Sequence, residues 1–511
     1  MRRRDKAPGG LLRLPLFLLI WAVTCLAMWV PATHAVILND HPTSQSFFFS
    51  GLLGLFMVSV IGLSLGNRRP RYGMPGQLLS LLASFVVLPL FLAVPVQDTL
   101  KNTSFLNAYF DMVSAITTTG ADVFADPGRL PPSLHLWRAM VGWLGGLLMW
   151  IAASSILAPM FLGGFEVTAR GEPGGGGATP SNMQQADPRR RLLSVVRTLT
   201  PVYAGLTLVL WTLLMMSGSK ALPGLTHAMS VMATSGISAI GGTEHAQSGV
   251  IGEMVMFLFM FFALSRLTFS SDTVSSGDGR LDRDPEFRTG LLIVFGVPML
   301  LFLRHWLATL EVAGGEDLGQ ALRAFWGSMF TVMSFLSTTG FESADWDTAR
   351  EWSGLDTPGM ILLGLALIGG GVATTAGGVK LLRVYALYLN GLGEMERLVH
   401  PSVVSSEGGG NRRLRKNGAF VAWVFFMLFA LSLAVISTVL AALGTDFETS
   451  LVLAIAALST TGPLVEVAAN DPILLWQLAP AAKLVLCLAM VLGRLETLAI
   501  IALLSPNLWR S

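Results

Sequence analysis

A small turn rich in Thr or Ser and centred on a glycine occurs four times along the chain. The intervals between the four glycines are about a hundred residues or slightly more. The turns read Thr118-Thr119-Gly120-Ala121-Asp122, Thr234-Ser235-Gly236-Ile237-Ser238, Thr338-Thr339-Gly340-Phe341-Glu342 and Thr460-Thr461-Gly462-Pro463-Leu464. Self-similarity at a nearly constant period indicates a repeated structural unit. The chain is therefore predicted to contain four copies of one unit, each built around such a turn.

The segments between the turns are long, apolar and almost free of charge. The 511 residues are 52% hydrophobic and 13% charged, whereas soluble domains are about 25% charged. Runs of this length cross a bilayer as helices, and ten are predicted, at about Leu14–Leu38, Ser46–Leu65, Leu78–Val96, Leu136–Leu162, Leu193–Met216, Ile251–Phe269, Gly290–Leu310, Met360–Leu382, Ala419–Leu443 and Leu478–Leu504. The first is too long for the core of a signal peptide, so it is predicted to be a retained transmembrane helix.

A shorter, semi-apolar segment leads directly into each turn. These segments are Thr103–Thr117, Gly224–Ala233, Ala321–Leu336 and Phe447–Leu458. A stretch of about 10–14 residues suits a re-entrant helix better than a full crossing, so each repeat is a span, a short helix, a turn and a second span. The predicted fold is an all-α polytopic membrane protein with a two-helix hairpin at 1–72 and repeats at 73–170, 171–280, 281–400 and 401–511.

The charges support this partition. With a cytoplasmic amino terminus, the inward segments hold most of the Lys and Arg residues, as the positive-inside rule requires. Many acidic residues fall in the outward segments, among them Asp122, Asp126, Glu244, Glu316, Asp317, Glu342, Asp345, Asp347, Glu351, Asp356, Glu466 and Asp471. This separation emerges only if each short segment enters and leaves the membrane by the same face.

Four irregular turns at membrane depth predict one shared pore. Non-helical backbone is tolerated there only where protein shields it or where it lines a wet cavity. A ring of backbone carbonyls can replace the hydration shell of a monovalent cation, and glycine permits the positive φ that aims carbonyls at the axis. Each short helix also points the negative end of its dipole at the centre of the membrane. An acidic outer face would concentrate cations at the mouth.

Other readings remain open at this stage. A single Thr-Gly or Ser-Gly pair in a membrane helix ordinarily indicates close packing or a kink, although four in register favour a pore. An alternating-access secondary transporter, coupled to sodium or protons, is the alternative function; it would predict inverted repeats and two broken helices at matching positions. An enzyme is not expected, because the seven His residues are scattered and no nucleophile motif occurs. A formal charge of only +2 gives no basic face for nucleic acid.

Several motifs together resemble the Trk/Ktr/HKT superfamily of potassium transporters, and within it the TrkH group of bacterial Trk-type membrane subunits. They are the stretch 114–121, the stretch 229–236, Asp284-Pro285-Glu286-Phe287-Arg288, Ser337-Thr338-Thr339-Gly340-Phe341, Thr461-Gly462-Pro463 and Gly493-Arg494-Leu495-Glu496. The resemblance covers almost the whole chain. It implies that each repeat is a potassium-channel-like M1–P–M2 unit around one pore, with an additional amino-terminal hairpin, and that the protein takes up potassium.

The resemblance places the selectivity filter in the four turns. Its residues would be Thr118, Thr119, Gly120, Thr234, Ser235, Gly236, Thr338, Thr339, Gly340, Thr460, Thr461 and Gly462. Potassium would bind the backbone carbonyls of Thr119, Gly120, Ser235, Gly236, Thr339, Gly340, Thr461 and Gly462. All four filter positions are glycine, which resembles the potassium-selective members. The second and fourth turns depart from the pattern in having no aromatic residue after the glycine.

The predicted outgoing span of repeat 3 is broken by five glycines within the ten residues 369–378. Each glycine costs about 1 kcal/mol in a helix interior, so the segment is either a break that permits close helix crossing or a functional loop. Its spacing does not match a phosphate-binding loop. The resemblance implies an intramembrane gate formed by Gly370, Gly371, Thr374, Thr375, Gly377, Gly378, Lys380 and Arg494.

Two cations in the predicted last span need separate explanations. Arg494 lies well inside the membrane, where an ionisable residue is a functional hypothesis by default, and the resemblance makes it an electrostatic barrier below the filter. Its competing interpretation is a structural ion pair with Glu496. Lys483, nearer the outer end, is expected to snorkel to the interface.

The resemblance also supplies expectations about partners and location. It implies a homodimer in the bacterial cytoplasmic (inner) membrane, among lipids, with a cytoplasmic ring of nucleotide-binding, TrkA-like regulatory subunits. The basic segments Arg189–Arg191 and Arg412–Lys416 are candidate contacts for that ring, although topology alone explains inner basic loops. No covalent cofactor is expected; potassium is the transported ligand, and nucleotide would bind only the separate regulatory subunit.

Overall fold

The computed structural model describes residues 14–65, 74–124, 126–158, 188–265, 284–309, 318–353, 359–399, 418–469 and 471–496. Within these ranges the regular structure is helical, and no strand occurs. Seven helices are long and apolar enough to cross a membrane. The chain is therefore a multi-pass membrane protein, as its composition predicts.

The first two spans form a hairpin. Helices α1 (Leu16–Ala27) and α2 (Trp29–Ile37) join as one span, and α3 (His41–Leu65) returns beside them. Small residues on α3 allow the helices to approach closely. A methyl group added at Gly54 would lie 2.3 Å from Sγ of Cys25, so this crossing depends on the missing side chain.

Each of the four repeats has an entering helix, a short helix and a leaving helix. Repeat 1 contains α4 (Met74–Val86) with α5 (Leu88–Thr99), α6 (Phe105–Ile116) and α7 (Pro132–Ala152). Repeat 2 contains α8 (Pro188–Met216), α9 (Ala221–Ala233) and α10 (Gly249–Met260). Repeat 3 contains α11 (Pro285–Thr309), α12 (Leu318–Leu336), α13 (Trp346–Ser353), α14 (Gly359–Ile368) and α15 (Leu381–Val399). Repeat 4 contains α16 (Ala419–Ala442), α17 (Phe447–Leu458), α18 (Leu464–Val467) and α19 (Pro480–Leu495).

The repeats close into a ring through their leaving helices. Each leaving helix packs on the short helix of its own repeat and on that of the following repeat: α7 on α9, α10 on α12, α14 on α17, and α19 back on α6. The last contact returns the fourth repeat to the first. The short helices α6, α9, α12 and α17 therefore surround a common centre, and their buried faces supply much of the core.

The predicted spans are found with shifted ends, and the outgoing span of repeat 3 is broken at its glycines, as predicted. The span predicted at Met360–Leu382 stops at Ile368, and a separate helix, α15, begins at Leu381 and continues to Val399. The glycines cause the stop, because they lack helix propensity. The helical course of 383–399 was not predicted, since its charged residues lower its hydropathy. The fourth, sixth, seventh and tenth predicted spans and the four repeat boundaries extend into or lie within residues outside the described ranges.

Candidate ion pathway

The four turns have the same backbone conformation at their first residue. Thr118, Thr234, Thr338 and Thr460 have φ values of 55°, 50°, 59° and 53°. This left-handed conformation is uncommon for residues other than glycine and is unfavourable for β-branched side chains. Its recurrence at four equivalent positions shows that the four turns share one local geometry.

One hydrogen bond recurs behind each turn and ties it to the preceding short helix. The N–H of Thr119 donates to the carbonyl of Ser114 (2.8 Å), and that of Ser235 donates to Ser230 (2.9 Å). The equivalent bonds in the other turns run from Thr339 to Ser334 (2.8 Å) and from Thr461 to Ala456 (2.9 Å). Because these bonds lie within single repeats, each short helix fixes its own turn locally.

Adjacent turns touch without space for a side chain between their glycines. A methyl group at Gly120 would lie 1.8 Å from the carbonyl oxygen of Ser235, and one at Gly236 would lie 2.4 Å from that of Thr339. The other two glycines close the circuit: a methyl at Gly340 would meet Pro463 at 2.8 Å, and one at Gly462 would meet the Ala121 nitrogen at 2.1 Å. The four turns therefore enclose one narrow centre.

The fourth turn departs from the other three. Gly120, Gly236 and Gly340 have positive φ values of 70°, 66° and 84°, whereas Gly462 does not. The following residue, Pro463, restricts the backbone of Gly462 and precedes helix α18. The N–H of Gly462 instead donates to the carbonyl of Thr119 at 2.6 Å, which links repeat 4 to repeat 1. The expectation that all four glycines use positive φ is wrong at this position.

Buried charged side chains brace the first and third turns. Arg138 of α7 bonds Asp111 of α6, with Nη2 at 2.9 Å from Oδ1, and Asp122 beyond turn 1 at 3.0 Å. Glu253 of α10 accepts hydrogen bonds from Trp326, Ser343 and Ala344, which flank turn 3. Neither brace was predicted from the sequence, although charges inside apolar runs were a usable signal.

Behind the second turn the brace is a contact between a histidine and a serine. Nε2 of His227, on α9, lies 2.9 Å from the hydroxyl of Ser238 beyond the turn. Both residues belong to the same repeat, and the imidazole also packs edge-on against the ring of Phe341 beyond turn 3. The three braces therefore differ in charge, although each of them lies behind a turn.

Residues 369–380, hereafter the glycine loop, connect α14 to α15 and lie directly below the turns. The two ends of the loop are held together, because Val379 and Lys380 donate to the carbonyls of Leu367 and Ile368 at 2.9 Å each. The intervening residues project as a closed loop with neighbouring ends. A methyl at Gly377 would lie 2.1 Å from the carbonyl oxygen of Ser459 and 2.3 Å from Oγ1 of Thr460.

The glycine loop is held by single contacts from several elements. The N–H of Gly377 donates to Oγ1 of Thr338 in turn 3 (2.8 Å), and Thr375 donates its hydroxyl to the Met232 carbonyl on α9 (3.2 Å). On the opposite side, the N–H of Gly371 donates to the carbonyl of Ala263 (2.9 Å), and that of Val372 donates to Glu286 on α11 (2.9 Å). The loop is thus buried between the turns and the ends of α10 and α11.

Arg494 approaches the glycine loop from α19. Its Nη1 donates to the carbonyl of Thr375 at 2.6 Å, and the residue is 4% exposed. Among the described residues, its Nε and Nη2 have no hydrogen-bond partner. Glu496 pairs instead with Arg383 of α15 at 2.7 Å, so the alternative of an Arg494–Glu496 ion pair is not what the structure contains. Arg494 remains a buried cation below the turns without a carboxylate partner among the described ion pairs.

Two further cations lie at the end of the glycine loop. Lys380 is 7% exposed and donates to the carbonyl of Ala376 within the loop. Arg383 is fully buried, and its guanidinium lies 3.5 Å from the centre of the Phe425 ring. Sequence reasoning did not identify Arg383, because its partners Glu496 and Phe425 come from repeat 4. The glycine loop therefore ends in a cationic cluster that joins repeats 3 and 4.

One acidic residue lies after each of the four glycines, and Asp122, Glu244, Glu342 and Glu466 belong to the predicted outer mouth. Burial and the charges of Glu244, Glu466 and Asp347 raise the pKa of Glu342 to about 8, against an opposing effect of Arg350. Desolvation, Asp122 and Glu244 raise the pKa of Glu466 to about 7. Since residues from all four repeats influence one another, the mouth concentrates negative charge above the turns.

The structure brings the residues predicted for the filter into one centre and places the residues predicted for the gate beside it. Lys483 differs from its prediction. Instead of snorkelling, it is 5% exposed and donates to Asn107 of α6 at 2.8 Å and to the Trp476 carbonyl at 3.0 Å. It joins repeat 4 to repeat 1. Of the candidate partner contacts, Arg412–Lys416 lies outside the described residues, and Arg191 donates to the Ser155 carbonyl at 2.8 Å.

Comparison with known proteins gives one consistent result. A family model described as "TrkH: Cation transport protein" matches residues 83–511. The Trk system potassium uptake protein TrkH of Vibrio parahaemolyticus is 30% identical over 424 residues, which is 80% of this chain and 81% of that protein. The Trk system potassium uptake protein TrkI of Halomonas elongata is 27% identical over 503 residues, covering 96% and 95%.

A solved structure matches the fold along nearly the whole chain. The crystal structure of the potassium transporter TrkH from Vibrio parahaemolyticus superposes with a TM-score of 0.78 at 24% identity, covering 98% of this chain and 99% of that one. At this level of identity the match shows the fold. The all-helical arrangement of four repeats after a leading hairpin is therefore confirmed.

Proposed function

The chain belongs to the TrkH family of cation transport proteins, and on that premise we propose that it is the membrane subunit of a Trk-type potassium uptake system. Relatives with 27–30% identity are named Trk system potassium uptake proteins. The observation that carries the proposal is the convergence of four equivalent turns, each held to its own short helix, around one centre. Potassium would pass inward along this centre.

The turns supply the chemistry that a selective pore requires. In the proposed mechanism, potassium loses water at the outer mouth, and carbonyls of Thr119, Gly120, Ser235, Gly236, Thr339, Gly340, Thr461 and Gly462 replace that water. The short helices direct the negative ends of their dipoles toward this centre. The carboxylates of the outer mouth raise the local cation concentration before entry. Each contribution acts on a monovalent cation without any chemical transformation.

The glycine loop is the proposed gate. Its contact with Thr338 and the close approach of Gly377 to Ser459 support a position across the inner end of the pathway. Arg494 adds a positive charge that a cation leaving the turns must pass, because two of its donors have no partner in the part of the chain that the structure describes and its Nη1 holds the loop through Thr375. Opening then requires the loop, and its contact with Arg494, to move away from the axis.

Assembly and location belong to the same proposal. We place the protein in the bacterial cytoplasmic membrane as a homodimer with a cytoplasmic amino terminus. A cytoplasmic, nucleotide-binding regulatory ring of the TrkA type would displace the glycine loop. Support comes from the relatives' description as parts of a Trk system and from the basic residues of the predicted inward segments.

Tracer uptake into sealed proteoliposomes that contain only this chain tests the function. Rubidium uptake is expected to be blocked by excess potassium and only weakly by sodium. Equal block by the two ions would contradict a potassium-selective pore. Uptake that requires an imposed sodium or proton gradient would instead indicate a coupled transporter. If the closed loop prevents all uptake, the variant lacking 372–376 is measured in the same way, and absence of uptake there would contradict the proposal.

A further inference from the structure

Glu253 lies within α10, the leaving helix of repeat 2, and only 2% of it is exposed. Both of its carboxylate oxygens accept hydrogen bonds. Oε1 accepts the N–H of Ala344 at 2.7 Å, and Oε2 accepts the hydroxyl of Ser343 at 2.7 Å and Nε1 of Trp326 at 2.9 Å. A buried carboxylate is costly unless such donors surround it. The three donors around Glu253 offset this cost.

The three donors belong to repeat 3 and lie on both sides of turn 3. Trp326 is on the short helix α12 that leads into the turn, whereas Ser343 and Ala344 are on the segment that leaves it. Two other bonds to this segment are local: the N–H of Phe341 donates to the hydroxyl oxygen of Ser334 (2.6 Å), and that of Ser343 donates to the hydroxyl oxygen of Thr331 (3.2 Å). A third comes from repeat 2, where the hydroxyl of Thr243 donates to the carbonyl of Glu342. Glu253 therefore joins the two arms of turn 3 from a neighbouring repeat.

The backbone held in this way reaches the centre of the four turns. The Thr339 carbonyl oxygen would lie 2.4 Å from a methyl group added at Gly236, so turns 2 and 3 have no free space between them. Loosening the outgoing arm of turn 3 would change the positions of the Thr339 and Gly340 carbonyls. A carbonyl ring that adapts its width discriminates less well between potassium and the smaller sodium ion.

We propose that Glu253 is a positioning residue that sets the ion selectivity of the pathway by holding the two arms of turn 3. The inference rests on the proposed function, because it assigns a determinant of selectivity within the same site. Glu253 contacts the frame of the turn and acts on the ion only through the backbone carbonyls. Its removal should therefore change the ratio of potassium to sodium more than it changes the total flux.

The test compares Glu253→Gln with the wild-type protein in rubidium uptake against potassium or sodium. The amide of Gln retains one acceptor oxygen but presents an NH2 group to a donor, so at least one of the three bonds is lost. Sodium is expected to block the variant about tenfold more effectively than the wild type, with uptake in the absence of competitor changed by about twofold or less. Ser248→Ala, at the residue directly before the same helix and with no hydrogen-bond partner for its hydroxyl among the described residues, is the matched control and should retain wild-type selectivity.

The outcomes separate this inference from the proposed function. If wild-type uptake is not selective for potassium, the proposed function fails independently of Glu253. If the wild type is selective and Glu253→Gln keeps the same ratio, the inference is wrong.

If Glu253→Gln folds poorly, variants that each remove one of the hydrogen-bond donors provide the test. Ser343→Ala and Trp326→Phe each leave the carboxylate in place and should weaken selectivity to an intermediate degree. Because they act through one network, combining the two should weaken selectivity by less than the product of their separate effects. Unchanged selectivity in both single variants, or fully independent effects, would overturn the proposal.

Discussion

The four turns and the glycine loop below them are both irregular, glycine-rich and buried, yet they are held in different ways. Each turn is fixed by a hydrogen bond to its own short helix, and the bond recurs in all four repeats. The loop has no such repeated support. It receives one contact each from Thr338, Met232, Ala263, Glu286 and Arg494.

This difference indicates how one chain can contain two layers of similar composition. The four turns form the fixed layer, and the glycine loop forms the movable layer. Local bonds keep a turn in place as long as its own helix persists. Contacts that come singly from separate elements can be lost together when those elements shift. The glycine loop can thus leave its position while the turns keep theirs, which is the arrangement that a gate beneath a filter requires.

The largest effect is expected from Gly120→Ala, which breaks the fixed layer. The new methyl group would lie 1.8 Å from the Ser235 carbonyl oxygen, and the residue has φ +70°, so the turn must deform. Rubidium uptake is expected to fall by about 100-fold. Gly364→Ala, on α14 with no atom within 4 Å of the added methyl, should leave uptake unchanged. Normal uptake by Gly120→Ala would show that turn 1 is not part of the pathway.

Deletion of residues 372–376 should disrupt the movable layer. It should raise rubidium flux, whereas Gly120→Ala lowers it. It removes the segment bonded to Glu286, Met232 and Arg494, so the inner end of the pathway loses its cover. Rubidium leak in the absence of any partner protein is expected to rise by about tenfold. Potassium should still block this leak, because the turns remain. Flux equal to that of the wild type would show that the glycine loop is not the gate.

Arg494→Gln removes a positive charge from the boundary between the four turns and the glycine loop. The guanidinium is buried and bonded to Thr375 of the loop, so its loss lowers the barrier and releases one loop contact. Uptake is expected to rise about fivefold. Arg494→Lys keeps the charge and should give a smaller rise. An equal rise in both variants would mean that the contact with Thr375, and not the charge, is what matters.

The smallest effect is expected at the outer mouth and depends on external pH. Carboxyl groups are neutral below their pKa, so Glu342 (pKa about 8) and Glu466 (pKa about 7) gain negative charge between pH 6 and pH 9. Rubidium uptake at low rubidium concentration should increase by about twofold to threefold over this range. The double variant Glu342→Gln with Glu466→Gln should lose this rise. The same pH dependence in that variant would exclude these two carboxyls as its source.

The sequence was sufficient to predict the turns, because their signal is local and repeated. Thr118, Thr234, Thr338 and Thr460 occupy equivalent positions in the chain and adopt equivalent backbone conformations. The break at the glycines of repeat 3 was predicted for the same reason, because its signal in the sequence is also local. The departure at Gly462 was less evident, although Pro463 directly after it was a usable signal.

The braces could not be predicted in the same way, because their partners are distant in sequence. Arg383 bonds Glu496, Lys483 bonds Asn107, and Glu253 bonds residues about 90 positions away. Each is a charge inside or beside an apolar run, which marks it as functional or paired. Which partner each of these charged side chains contacts is determined only by the closure of the four repeats into a ring.

Anomalous diffraction from crystals grown with rubidium in place of potassium tests the central claim most directly. The account predicts rubidium density on the common axis, within coordination distance of the carbonyls of Gly120, Gly236, Gly340 and Gly462, above the glycine loop. Density confined to other parts of the molecule, with none between the four turns, would contradict it.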